Sequence, residues 1–333
     1  MKRFLLFLLI VSFLIPVAAC GGTDANKVGI CLPSEEDVYF STEGEYILND
    51  FKGKGHETLL KYCQNDAKKQ EEEFRSLVSE KCDVIIVAPI DAESLKSAVS
   101  DAKAAGIKIV AYQTAIEGAD TNITFDDSKT GRIIGEYLVE KLGLKDTKSK
   151  LEMEMFCGAA SNELGRNYYN DCMSVLEPYF ASKTLNVGSG LKEYEKVASD
   201  GTAIAAESRL IKLLAQYYIG TRKLHAIYTS DETIANGVRS TLIGSGHYEK
   251  SYPAVTTIGC SLSTAKRIKD GTQTMAVFSD RSKLLYSTIE IASDYLSGKT
   301  PVASKIFEPV TITKDNYKAE LIDTGVYTEE QLK

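Results

Sequence analysis

KCDVIIVAPIDAESLKSAVSDAKAAGIKIVAYQTA, residues 81–115, reads as strand, helix, strand. Val84-Ile85-Ile86-Val87-Ala88 is an unbroken apolar run rich in β-branched residues, the pattern of a strand buried on both faces. Pro89-Ile90-Asp91 breaks it, and Asp91 is placed to cap the helix that follows. Leu95, Ala98, Val99, Ala102 and Ala105 recur at helical spacing, and Gly106 stands where a helix ends in a left-handed residue. Ile107 to Tyr112 returns as a second buried strand. Two such strands joined by a helix pair in parallel through a right-handed crossover. Ligands of such sheets sit beyond the carboxyl ends of the strands. Here those ends carry Pro89-Ile90-Asp91 and Gln113-Thr114.

Working outward, the same alternation repeats. Toward the N-terminus, Val28 to Leu32 and Thr58 to Cys63 read as strands, each followed by a helix. The first of these helices, with Tyr46, Ile47 and Phe51 inward, is expected after a loop over Ser34 to Ser41. The EEE run at 71–73 reads as a solvated face of the second. Ile123 to Phe125 closes a first α/β half, and Asp126-Asp127-Ser128 is expected to cap the next helix. Strands at 151–156, 184–187, 226–229 and 255–258, with helices at 162–176, 202–218 and 233–242 between them, make a second half of similar plan. A helix, a strand at 275–278, a helix over Arg281 to Leu296 and a tail strand within Ile306 to Ile312 complete the chain. Two like halves place a ligand between them.

Composition narrows the function classes. The net charge of −7 leaves no electrostatic case for nucleic acid. Lys2-Arg3, the apolar run Phe4 to Val17 and small residues before Cys20 read as a leader over 1–19, cleaved ahead of a lipidated Cys20, with 20–26 as a polar tether. The mature chain is then expected outside the cytoplasm, held at a membrane without spanning it. Of the remaining cysteines (31, 63, 82, 157, 172 and 260), none forms a CxxC pair. A core of this size needs no staples, so free buried thiols are expected, with Cys31–Cys63 the best disulfide candidate. Neither GxGxxG after a strand nor GxxxxGK[ST] occurs, so no phosphate cradle is expected. His56, His225 and His247 are scattered, without HExxH or Cys/His metal spacing, and there is no GxSxG elbow. Nothing assembles nucleophile, base and oxyanion donor, and no cofactor is called for. Binding without chemistry is the expectation.

Lys27 to Pro33 (KVGICLP), the VIIVAPIDAESLKSAVSDAKAAGIKIVAY run, TFDDSKTG, MSVLEPYF (173–180) and the tail ITKDNYKAELIDTGVYTEEQLK (312–333) together resemble type I periplasmic sugar-binding proteins of ABC importers, most of all the multiple-monosaccharide-binding branch. The resemblance covers nearly the whole mature chain. It implies an α/β fold of two doubly wound parallel-sheet lobes joined by a three-strand hinge, with crossings near Phe125-Asp126, Ile258-Gly259 and Phe307-Glu308. The first lobe is then 27–125 plus 259–307, and the second 126–258 plus 308–333. It also implies a sugar clamped between the lobes, a ring against its apolar face, and partners for each hydroxyl, since a buried unpaired hydroxyl is costly.

Carried over position by position, the site departs from the branch. Tyr39-Phe40 stand where the branch has Arg-Trp, and Glu43 stands close to an acid. Gln113-Thr114 replace Asp-Arg, and Asp126-Asp127 replace Asp-Asn. Glu163-Leu164, with Asn162 and Arg166 adjacent, stand for two asparagines. Glu232, beside Asp231, keeps an acid, and Cys260-Ser261 replace Gln-Asp. The expected ligand contacts are therefore Tyr39, Phe40, Glu43, Gln113, Thr114, Asp127, Glu163, Asp231, Glu232 and Ser261. Most charged donors are gone. The altered cleft suits a different sugar or derivative, a cation or other non-sugar, or a decayed site on a partner-contacting sensor. Several of these residues also fit plain structural roles. Tyr39-Phe40 could pack beneath the first loop, and Glu163 and Glu232 could be solvated first-turn acids. The resemblance implies a solute receptor of an ABC importer that docks permease subunits. A sensory binding protein presenting its ligand state to a membrane receptor is the alternative.

Overall fold

The structure is a computed structural model and describes residues 25–246, 248 and 252–333; the expected leader over 1–19 and Cys20 lie outside the described residues. In chain order the strands are β1 (Lys27–Leu32), β2 (Glu57–Tyr62), β3 (Val84–Val87), β4 (Lys108–Gln113), β5 (Thr121–Phe125), β6 (Leu151–Phe156), β7 (Leu185–Val187), β8 (Ala226–Thr229), β9 (Ala254–Ile258), β10 (Met275–Phe278), β11 (Ser304–Phe307) and β12 (Val310–Thr313). The helices are α1 (Val38–Gly53), α2 (Ala67–Ser79), α3 (Ala92–Ala104), α4 (Thr130–Lys141), α5 (Glu163–Ala181), α6 (Tyr194–Val197), α7 (Ala203–Tyr217), α8 (Glu232–Gly244), α9 (Leu262–Asp270) and α10 (Arg281–Leu296).

Two six-stranded sheets result, in the orders β11-β5-β4-β3-β1-β2 and β12-β10-β9-β8-β6-β7. In both, the strand that starts the half has neighbours from either direction, so the order reverses beside β1 and again beside β6. Such a reversal opens a crevice past the carboxyl ends of the strands. The pairing is parallel throughout except for β12, which runs antiparallel to β10. Each sheet is covered on both faces, which explains why its strands are apolar without alternation. Ile47 and Phe51 of α1 pack with Leu284 and Ile289 of α10 on one face of the first sheet, while Phe74 and Leu77 of α2 pack with Leu95 and Val99 of α3 on the other. In the second sheet Ile134 and Leu138 of α4 pack with Tyr169 and Cys172 of α5, opposite Leu210 of α7 and Val238 of α8.

The sheets divide the chain differently from the expected lobe boundaries. The crossings after Phe125 and after Phe307 stand between strands of different sheets. The middle crossing does not follow Ile258. Residues 262–278 fold back as α9 and β10, and β10 pairs with β9 through Met275↔Thr256. The chain returns to the first sheet with α10, where Leu284, Ile291 and Ala292 are buried with β3 and β4, and then with β11. The crossing is therefore at Ser279-Asp280. Gly259 does sit at a sharp turn (φ +95°), but the turn stays within the second sheet. A βαβ crossover was available there, and the apolar MAVF run completes it.

Local differences have local causes. α1 begins at Val38 rather than after Ser41, because Asp37 accepts the Tyr39 N–H at 2.8 Å and opens the helix early. Tyr39 and Phe40 thus belong to a helical first turn and not to a loop. Asp127 does not cap: it lies inside a 3₁₀ turn over Asp127–Lys129, and neither that turn nor α4 has a side-chain cap bond. Asp91 does cap α3, accepting from the Glu93 N–H at 3.1 Å. The turn it belongs to is braced from below by Gln70, wholly buried, which donates to the Ala88 carbonyl at 2.8 Å and accepts from the Ile90 N–H at 2.7 Å. Cys31, Cys63, Cys82, Cys157, Cys172 and Cys260 are free and buried; the Sγ atoms of Cys31 and Cys63 stand 3.7 Å apart.

Candidate functional site

The start of α1, the tip of β4 and the first turn of α10 converge on one cluster. Gln113, the last residue of β4, adopts φ +71°, which turns the chain out of the sheet. Glu43, one turn into α1 beyond Tyr39, is buried. Arg281, the first residue of α10, grips it with one edge of its guanidinium: Nε donates to Oε1 and Nη2 to Oε2, each at 2.9 Å. Gln113 Nε2 and the Tyr112 hydroxyl also donate to Oε2, at 3.2 and 3.3 Å, while Arg281 Nη1 donates to Gln113 Oε1 at 3.2 Å. Burial first, and the Glu43 carboxylate next, hold the Tyr112 phenol well above its usual range, so it stays a donor. The guanidinium also lies over two rings, 5.0 Å from the centroid of Tyr39 and 5.4 Å from that of Phe40. Planar, bidentate and stacked, it has one orientation.

The facing wall comes from the second sheet. Asp231 caps α8, accepting from the Ile234 N–H at 2.9 Å and from the Ser230 hydroxyl at 3.0 Å. Glu232 follows as the first helical residue. Its Oε1 accepts from the Ser261 N–H at 2.8 Å, from the Ser261 hydroxyl at 2.7 Å and from the Thr264 hydroxyl. Its Oε2 lies beside Gly259, where an added Cβ would come within 2.8 Å. Glycine at 259 therefore serves twice, taking the left-handed φ and leaving room for the carboxylate. Asp280, buried at the middle crossing, caps α10 by accepting from the Ser282 N–H at 3.0 Å and its hydroxyl at 2.5 Å.

Between these walls is a cleft of about 590 Å³, lined from the first sheet's side by Tyr39, Arg281 and Tyr286, and from the second's by Glu232, Gly259 and Ser261, with Phe278, Asp280 and Tyr327 at its base. Tyr327, from the C-terminal tail, is pinned there by donating to the Cys260 carbonyl at 2.9 Å. The volume suits a small polar ligand. Aromatic edges and fixed polar groups face it together. A larger hollow of about 710 Å³, lined by Glu136, Tyr137, Gln273 and Thr313, lies at the opposite, amino end of β10.

The structure brings Tyr39, Glu232 and Ser261 of the expected residues onto the cleft. Phe40 instead packs half-buried against the first sheet's core. Glu43 and Gln113 are not among the residues lining the cleft and bond Arg281 from behind it. Thr114 is exposed beside Gln113. Asp127 is half-buried near Tyr168 and Asp126; burial first, then the Asp126 charge, raise its carboxyl above the usual range. Glu163 is an exposed first-turn acid of α5, whose cap is Asn162. Arg166 turns to Glu195 and to the Ala160 carbonyl. Asp231 acts as a cap. Gly259, Phe278, Asp280, Arg281, Tyr286 and Tyr327 are among the cleft residues that sequence reasoning missed. Arg281 did carry a signal: it follows a capping Asp just past the tip of an apolar strand, the position at which ligand contacts are sought.

A model of the periplasmic binding protein domain matches residues 28–300. The chain is 32% identical to the multiple sugar-binding periplasmic protein SbpA of Azospirillum brasilense, covering 93% of this chain and 92% of that one. It is 29% identical to the multiple sugar-binding periplasmic receptor ChvE of Rhizobium radiobacter, covering 95% of each. Among solved structures it is similar to an ABC transporter solute-binding protein of Clostridium phytofermentans with bound β-D-glucose, at 31% identity and a TM-score of 0.68, over 92% of this chain and 100% of that one.

Proposed function

We infer function from one premise: the chain belongs to the periplasmic binding protein domain family. It is an extracytoplasmic sugar-binding protein of an ABC transporter and works by binding, not by catalysis. The observation that carries the reading is the cleft itself, walled by Tyr39 and Arg281 on one sheet's side and by Glu232 and Ser261 on the other's. A pyranose has apolar C–H faces and a rim of hydroxyls, each both donor and acceptor. Tyrosine rings answer the faces, and a guanidinium opposite a carboxylate answers the rim. The ligand touches both walls only when they approach, so it shifts the equilibrium toward the closed form by its differential affinity. The closed form is the one we assign to docking on permease subunits. The similar Clostridium protein is a solute-binding protein of an ABC transporter, which favours import over the sensory alternative.

A monosaccharide is the ligand class we propose, with D-glucose the first to test. Attachment through lipidated Cys20 is part of the same proposal, supported by the basic start, the apolar run and Val17-Ala18-Ala19 ahead of the cysteine. The test is a thermal-shift screen of the folded chain against hexoses, pentoses and polyols. A ligand that binds only the native form raises the melting temperature. A rise with at least one monosaccharide is expected, and a flat response across the whole panel would refute the reading. Mass spectrometry of the mature N-terminus tests the anchor: an unmodified residue other than Cys20 at the start of the chain would exclude it.

A further inference from the structure

We propose that Arg281 tunes which sugars the cleft accepts, by donating to the ligand from the first sheet's wall and by cancelling the charge of Glu43, so that the pull of the cleft's carboxylates on sugars bearing an ammonium group is weaker than it would be without the guanidinium. The proposal rests on the sugar-binding reading above and adds a residue and a charge rule to it.

The donor count comes first. A guanidinium has five N–H bonds in a fixed plane. Three are used, on Glu43 Oε1, Glu43 Oε2 and Gln113 Oε1. One N–H on each terminal nitrogen is left. The side chain is 33% exposed, whereas that of its partner Glu43 is 10% exposed. The exposed part lines the cleft. The stacked rings of Tyr39 and Phe40 stop the plane from turning.

The charge comes second. The charged residues lining the cleft are Glu232, Asp280 and Arg281. Glu43 stands directly behind Arg281, and the pair is neutral. On the far wall the Oε1 atom of Glu232 takes three donors, while Oε2 lies at the cleft beside Gly259. A donor wall thus faces an acceptor wall. A hydroxyl satisfies both. An ammonium can only donate: Glu232 and Asp280 attract it, while Arg281 offers it no acceptor and, paired with Glu43, adds no net attraction. Without Arg281 the same cleft holds Glu43, Glu232 and Asp280 with no cation among them, which strengthens its pull on an ammonium group.

The test is calorimetric titration of the wild-type chain, Arg281→Gln and Arg281→Lys with D-glucose and with D-glucosamine, at a pH where the amine is protonated. The wild type sets the reference glucose-to-glucosamine ratio. In R281Q, glucose binding should fall about tenfold or more, as loss of a charge-assisted hydrogen bond implies, and the glucose-to-glucosamine ratio should fall with it. R281K keeps Glu43 paired but lacks the planar fork. It should bind glucose several-fold more weakly with the glucose-to-glucosamine ratio close to that of the wild type. A fall in glucose binding at an unchanged ratio in R281Q would reduce Arg281 to packing and overturn the proposal. So would wild-type glucose affinity in R281K, which decides the matter even if R281Q fails to fold. A wild type that binds no neutral monosaccharide would instead refute the sugar-binding reading itself.

Discussion

Glu232 and Ser261 are 29 residues apart, yet the serine hydroxyl donates to the Glu232 carboxylate at 2.7 Å and the serine N–H at 2.8 Å. Each residue opens a helix, Glu232 as the first residue of α8 and Ser261 as the cap of α9. The bond ties two helix starts together at the rim of the second sheet. It also fixes which carboxylate oxygen is left for the cleft.

Replacing Glu232 therefore separates binding from stability. Glu232→Gln keeps an acceptor for Ser261 and should melt close to the wild type while losing about tenfold in sugar affinity. Glu232→Ala strands the Ser261 N–H and should cost about 1–3 kcal/mol of stability as well. Denaturant melts beside calorimetric titrations read both quantities. Unchanged affinity in E232Q would place the ligand elsewhere in the cleft.

Close helix packing makes a second prediction. A Cβ built on Gly131 of α4 would come within 2.0 Å of the Tyr168 carbonyl oxygen on α5, and one on Gly135 within 2.7 Å of the Val175 Cβ. The two helices approach backbone to backbone, and no rotamer change relieves the Gly131 contact. Gly131→Ala should destabilise by about 1–3 kcal/mol despite the better helix propensity of alanine. Urea unfolding measures it; a more stable variant would mean that α4 and α5 sit further apart.

Acid should weaken the second sheet through His225. Its Nδ1 accepts the Glu152 N–H at 3.0 Å, which requires the neutral ring. Burial, the largest cause, lowers its pKa below the ordinary 6.5. The unfolded chain therefore takes up the proton first as pH falls. This contribution is complete above about 6.5 and is lost as the pH drops from there through the lowered folded-state value. His225→Gln should show a shallower fall in melting temperature between neutral and mildly acid pH than the wild type. Parallel slopes would remove His225 as a cause.

At alkaline pH the sign reverses at Cys82. Burial pushes its thiol from 9.0 up to about 11. The unfolded chain loses that proton first, so this stability is intact below about 9 and is lost as pH rises through about 11. The folded chain should resist maleimide at neutral pH. Once unfolded without reductant it should label at Cys31, Cys63, Cys82, Cys157, Cys172 and Cys260. Mass spectrometry showing Cys31 and Cys63 unlabelled after unfolding would reveal a bond between them that this structure lacks.

Much of the fold is legible residue by residue. VIIV, AIYT and MAVF are short apolar runs between turn residues, and they are the strands β3, β8 and β10. α10 spans Arg281–Leu296, as its pattern predicts, because Asp280 supplies a cap and Ser297-Gly298 a stop. These signals are local, and local signals survive folding when the core agrees with them. The cleft is less legible. Tyr39, Glu232 and Ser261 lie on it, but Phe40 turned to the core and Asp127 neither caps nor reaches it. In each of those cases burial against a distant element decided the side chain's direction.

Hydrophobic runs, caps and the order of strands and helices determined that this chain builds two parallel sheets, because each of those features acts over a few residues of backbone. Which sheet takes β10, and which cation takes Glu43, were decided only by tertiary structure. Arg281 reaches Glu43 across 238 positions of sequence. Nothing in the composition around either residue announces the other; the two meet because α1 and α10 pack on the same face of one sheet.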